Sequence, residues 1–170
     1  YQGSFSRTSL AMRDGYNVAA ILTPLRADPK KCNKGENPIE CEFRLHNPSI
    51  AIISLETNFN DRPADDYGKY MRTIIEYSIE QGVVPILATK ADNREKDNRI
   101  NRDMAMLSAE YDLPLWNFWA AVDDLPNRGL YTRKDRPLQG DIYLTDDAKL
   151  IHRETGLEAL DIVWRMATGE

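Results

Sequence analysis

Three stretches of the chain are apolar almost without interruption: SIAIISL at 49–55, GVVPILAT at 82–89 and LPLWNFW at 113–119. A strand with one face in water alternates apolar and polar residues, whereas a strand covered on both faces need not. The three runs are therefore expected as buried parallel strands, with NVAAIL at 17–22 as a weaker fourth. Between them the period changes. From Ala64 to Gln81, Tyr67, Tyr70, Met71, Ile74, Ile75, Ser78 and Ile79 recur at spacings of three and four, and Gly82 supplies a stop signal. Ile100, Met104, Leu107 and Tyr111 mark a second helical stripe over 98–111. Leu157, Leu160, Val163, Trp164 and Ala167 mark a third, from Glu154 onward. Alternating strands and helices imply right-handed crossovers, which put helices on both faces of a parallel sheet. The expected fold is α/β, a three-layer α/β/α arrangement in a single domain over 1–170, with irregular stretches at 23–48 and 120–145.

Composition narrows the partners. The 170 residues are 42% hydrophobic and 29% charged, a globular balance. A net charge of −5 argues against nucleic acid, whose phosphates call for a basic face. No run approaches the ~18 apolar residues of a membrane span. The chain opens at Tyr1 rather than at Met, and is expected to be the C-terminal part of a longer chain. Cys32 and Cys41 flank a Gly-, Pro- and Asn-containing segment inside the linker at 23–48. They are expected to form a disulfide, closing a short loop at a gain of about 2–3 kcal/mol. Free thiols and a metal site are the alternatives, although zinc would need further ligands and the chain has two histidines, His46 and His152. A disulfide would place the protein outside the cytoplasm, secreted or at the cell surface. No cofactor or metal is called for.

Ligands of open parallel sheets bind beyond the carboxyl ends of the strands. Here those ends read ETNFND (56–61), TKADNRE (89–95) and WNFWAAVDDLPN (116–127), all rich in amides and acids. Turn formation alone accounts for any one of them; three on one edge point to a site. Glu56, Asp92, Asn93, Asn117, Trp119 and Tyr143 are its candidate binding residues. VVPILATKAD looks like the base-recognition element of small GTPases, with Asp92 as acceptor, but no Gly-x4-Gly-Lys-Ser/Thr phosphate loop accompanies it.

A resemblance covering most of the chain rests on IAIISLETN, the helix after it, GVVPILAT, YDLPLWNFW and IYLTDD, in that order. This is the order of the SGNH (GDSL-type) hydrolases, esterases with a flavodoxin-like sheet. The resemblance implies that Asn58 matches the family's oxyanion-hole Asn, where a side-chain amide donor is typically worth ~3–4 kcal/mol. It makes Gly3, in GSFSRTS, a weaker second donor. The linker with both cysteines is similar to an extracytoplasmic branch of the family.

The departures are equally specific. The family's Gly-Asp-Ser nucleophile, which follows its first, central strand, is absent, so that strand and serine are expected upstream of Tyr1. Ser4, Ser6 and Ser9 fit helix capping better than attack. Aligning on Leu144-Thr145 puts Tyr143 at the family's catalytic His, with Gly140 and Asp141 beside its Asp. A phenol with a pKa near 10 does not replace imidazole as a base at neutral pH. Glu56 replaces the glycine of the oxyanion block and opposes developing negative charge. His152 is expected to be solvated or capping at the start of the last helix, and His46 structural. Three functions follow: a hydrolase of esters or acetylated glycans completed by an upstream segment, a relative that keeps the fold and binds, or a structural or carbohydrate-binding subunit of a surface assembly. Trp116, Phe118, Trp119 and Tyr131 would stack on a sugar in the last case, unless they are core. The substitutions favour lost catalysis. A sheet without its central strand is expected to need either the upstream segment or another protein chain to complete it.

Overall fold

The computed structural model describes residues 7–13, 15–55, 64–137 and 142–169. Three strands, β1 (Ile50–Ile53), β2 (Val84–Ala88) and β3 (Leu115–Trp116), form a parallel sheet in the order β1-β2-β3. Helices α1 (Pro38–His46), α2 (Ala64–Glu80) and α3 (Arg99–Glu110) precede or connect them, and α4 (Phe118–Ala121) and α5 (Asp146–Thr168) follow. Two apolar clusters lie on opposite faces of the sheet. One joins Tyr67, Met71, Ile74 and Ile75 of α2 and Met104 and Leu107 of α3 to Ile53 and Leu87. The other joins Ala148 and Val163 of α5 to Ile86, Ala88 and Trp116. The fold is thus three-layered α/β/α, as its pattern of apolar runs predicts, and flavodoxin-like, as the family resemblance implies. Each fully buried Ile or Met contributes about 1.5–3 kcal/mol.

The ladder explains a proline in the middle strand. Leu87 and Thr89 donate to Pro114 and Trp116 of the β3 side (2.9 and 3.1 Å), so odd-numbered residues of β2 face β3. Pro85 shares that orientation but lies before β3 begins, where no acceptor awaits an N–H. On the other side, Val84 donates to Ser49 O at 2.9 Å. Ser49, Ala51 and Ile53 therefore face β2, and Ile50 and Ile52 direct their peptide groups away from it. Among the described residues β1 pairs with β2 alone. Ile52 is 41% exposed, and a groove of about 320 Å³ runs along Ile50–Leu55 between the sheet, α1 and the segment Arg7–Met12.

Several expectations need correction. Residues 17–22 are not a strand: Asn17 Oδ1 accepts from the N–H of Ala19 and Ala20 (both 3.1 Å), and Ala20–Leu22 form a 3₁₀ turn. An amide side chain that caps locally outcompetes the apolar run's preference for a ladder. The linker 23–48 is not irregular throughout, because Asn37 and Glu40 make a reciprocal capping box that starts α1. Asn117 truncates the third strand by capping α4. The last helix begins at Asp146 on the Thr145 cap, two turns before Glu154. Its inward face is built around small residues: Leu157 and Trp164 are exposed, while Ala148, Gly156 and Val163 are buried, with Ile151 and Leu160 packed beside them. Trp116 enforces this, donating Nε1–H to Thr155 Oγ1 (2.9 Å) and lying against Gly156, where a Cβ would stand 3.0 Å from its ring.

Cys32 and Cys41 are joined, Cα to Cα 5.3 Å, fastening the linker to α1. Nearby Arg44 hydrogen-bonds Glu36 and, with the Asn33 N–H, holds its carboxyl down at about 2. Cys32, Glu36 and Cys41 are close enough to share an ion, but both sulfurs are committed to each other. No helix among the described residues is long and apolar enough to cross a membrane.

Gly129 positions the loop before α5. Its φ is +68°, its carbonyl accepts from Thr145 N (2.8 Å), and a Cβ there would lie 2.4 Å from Ala148 Cβ. Gly129→Ala is expected to add a left-handed strain of about 1–2 kcal/mol to an overpacking cost of about 1–3 kcal/mol. Gly35→Ala, with φ +92° but open space around it, carries only the first. Thermal unfolding of the two variants should show the larger drop for Gly129→Ala.

Candidate functional site

The carboxyl ends of the three strands meet one small cavity of about 120 Å³. Ser54 reaches it from β1, Thr89 to Asp92 from β2, Phe118 from the end of β3, Leu130, Ile142 and Leu144 from the loop before α5, and His152 from α5 itself. The parallel ladder is the cause: strands running the same way end on the same side. An antiparallel bridge between Leu130 and Leu144 folds the loop over this lip.

Thr89 ties two tips together. Its hydroxyl donates to Asn117 Oδ1 (3.2 Å) and accepts from Trp119 N (2.9 Å). The β2 tip continues with Lys90, whose peptide is clamped by a side chain of α3. Asn101 Oδ1 accepts from Lys90 N (2.8 Å) and its Nδ2 donates to Lys90 O (3.0 Å), standing in for a neighbouring strand. The Lys90 side chain is 5% exposed and donates from Nζ to Asp92 (2.9 Å) and Glu95 (2.6 Å). Two carboxylates thus share one ammonium away from water, and Glu95 Oε1 has no hydrogen-bond partner among the described residues. The formal charge of the trio is −1.

The sequence-derived candidates divide as follows. Gly3, Glu56, Asn58 and Asp141 lie outside the described residues, as do Ser4, Ser6 and Gly140. Asp92 is at the lip but serves Lys90 and the N–H of Arg94 (3.2 Å), which leaves it no place as a base-recognition acceptor. Asn93 accepts from Asn98 N (2.9 Å) and shapes the turn into α3. Asn117 caps α4 through Ala120 N (3.1 Å). Trp116 and Phe118 are core. Trp119 and Tyr131 each carry a guanidinium on one face, Arg128 at 3.5 Å and Arg136 at 4.2 Å from the ring centroid. Tyr143 is 41% exposed, with Arg136 5.9 Å from its ring centroid.

His152 is placed differently from its expectation. It lies two turns into α5, half-buried, with its ring 4.6 Å from Trp116 and 4.8 Å from Phe118. Burial pushes its pKa below the ordinary value, because desolvation disfavours the charged imidazolium. His46 is structural, with Nε2 3.9 Å from the buried Glu42, which also binds Arg7 and Leu10 N (2.6 Å). Sequence reasoning missed Ser54, Thr89 and Lys90. The signal for Lys90 was a cation at the end of an apolar run with acids two and five residues on.

Two solved structures share this architecture. One is a protein from Bacteroides fragilis NCTC 9343 assigned as an acylhydrolase, at TM-score 0.60 and 11% identity over 72% of this chain and 65% of that one. The other is a GDSL-like lipase from Bacteroides thetaiotaomicron VPI-5482, at TM-score 0.56 and 16% identity over 75% of this chain and 66% of that one. The fold is that of the SGNH (GDSL-type) hydrolases. At these identities the likeness concerns the fold, and the chain spans just under two thirds of the length of either structure. No protein-family model matches the chain, and no curated protein matches it. Within this SGNH-like frame, the lip holding Ser54, Lys90 and His152 is where such a sheet takes its ligands.

Removing the Lys90 ammonium would leave Asp92 and Glu95 buried and repelling. Lys90→Met is expected to lower stability by about 3–5 kcal/mol, measured by urea unfolding. Adding Glu95→Gln should recover part of the loss.

Proposed function

We propose that this chain is a divergent SGNH-like domain of a secreted or cell-surface protein, without ester-hydrolysing activity of its own. The observation that carries this reading is Tyr143. It stands two residues before the Thr145 cap of α5, and its carbonyl accepts from Tyr131 N (2.9 Å), so its place in the loop is held by backbone bonds on both sides. An exposed phenol at the family's base position takes up no proton from a serine at neutral pH. The Cys32–Cys41 disulfide supports the extracytoplasmic setting.

The same reading includes a partner for β1. An edge strand of four residues with Ile at three positions has none of the charges, prolines or bulges that protect edges. A further segment of the same protein, expected before Tyr1, or another protein chain completes the sheet there. The groove along Ile50–Leu55 supports such a seat.

A second reading, an active hydrolase of esters or acetylated glycans, draws on one observation. The neutral imidazole of His152 lines the same cavity as Ser54.

Two measurements separate these readings. Purified protein should hydrolyse p-nitrophenyl acetate no faster than buffer; turnover abolished by Asn58→Ala would establish the second reading instead. In light scattering the 170-residue chain should not run as a monodisperse monomer, and such a monomer would remove the strand-completion proposal.

A further inference from the structure

His152 has more than a packing role to explain. Its ring packs against two aromatic neighbours, yet among the described residues no group hydrogen-bonds either of its nitrogens. A leucine or phenylalanine at this position would make the same ring contacts, whereas the imidazole adds hydrogen-bonding nitrogens to the wall of the cavity that His152 lines.

The geometry points to this cavity as a binding site for a small neutral hydroxyl compound, with the His152 imidazole as its polar anchor and Phe118, Leu130 and Leu144 around its alkyl part. Its size sets the scale. At about 120 Å³ it is somewhat smaller than the ~150 Å³ cavity that admits benzene. A ligand, or the part of one that enters, has about four or five non-hydrogen atoms on that comparison. Charge sets the class. Lys90 is already matched by Asp92 and Glu95, so the lip offers an anion no spare cation and presents it with an excess carboxylate. A neutral imidazole accepts a hydrogen bond from a hydroxyl, and the apolar wall takes up a short alkyl chain.

This inference rests on the strand-tip edge being the ligand-binding edge of the SGNH-like fold, and is independent of whether ester hydrolysis survives. The chain's two histidines make it directly readable. The ring ¹H–¹⁵N correlations of His46 and His152 are followed above neutral pH while 1-propanol, or separately propionate, is added. The expected result is a saturable shift of His152 with 1-propanol, no comparable shift of His46, and at least tenfold weaker response to propionate. His152→Phe keeps the aromatic packing and removes the nitrogens. In that variant the Leu130 and Leu144 methyl signals should report binding roughly fivefold weaker, the factor lost with one hydrogen bond.

The inference is overturned if His152 does not move, if His46 moves in step with it, if propionate binds as well as the alcohol, or if His152→Phe binds unchanged. Failure here leaves the absence of esterase activity standing. Conversely, p-nitrophenyl acetate turnover would overturn that absence without touching the alcohol site.

Discussion

Trp116 is the contact on which the arrangement of layers depends. Its backbone carbonyl accepts from Thr89 and joins β3 to β2. Its indole N–H is satisfied by Thr155, and its ring lies on Gly156 and beside Phe118 and His152. One residue therefore sets the sheet edge, the distance of α5 from the sheet, and the orientation of the imidazole at the lip. Because a glycine hydrogen is all that separates the helix from the ring, α5 approaches closely. The small residues of its inner face follow from that approach.

The chemistry of the lip is shaped by charge as much as by the replacement of a base. Esterase action stabilises negative charge on a tetrahedral carbon's oxygen. Here the β2 tip buries two carboxylates against one ammonium, and Asn101 spends both ends of its amide on the strand backbone rather than on a ligand. The polar groups at this tip are largely consumed in holding the tip together. Hydrogen-bonding capacity remains on the opposite wall, at His152.

The strands were legible because burial on both faces leaves an unbroken apolar run, and the α2 stripe because its period matches the helix; even there Tyr70 and Ile79 turned out exposed, so the buried face is narrower than the spacing suggests. Local capping by Asn17, Asn37 and Asn117 was not legible in advance, since one side-chain bond decides whether the following residues coil or extend. On α5 the apolar stripe located Leu160 and Val163 but not Ala148 and Gly156, where small size rather than apolarity marks the contact. At the site, the common edge of the tips could be inferred from parallel strands alone. The division of labour on that edge could not, because Asp92, Asn93 and Asn117 have the composition of a binding site while their bonds are internal. His152 was undervalued for the opposite reason: it was placed at the exposed entry of the last helix, whereas it lies two turns in, against aromatic rings.

The sheet is also lopsided. β3 offers only Leu115 and Trp116 before Asn117 diverts the chain into α4, while β1 presents four residues. A molecule with one extendable side cannot propagate head to tail, because a second copy that joins through β1 leaves only short sides outward. Self-association by this route stops at an isologous pair and does not grow into a filament.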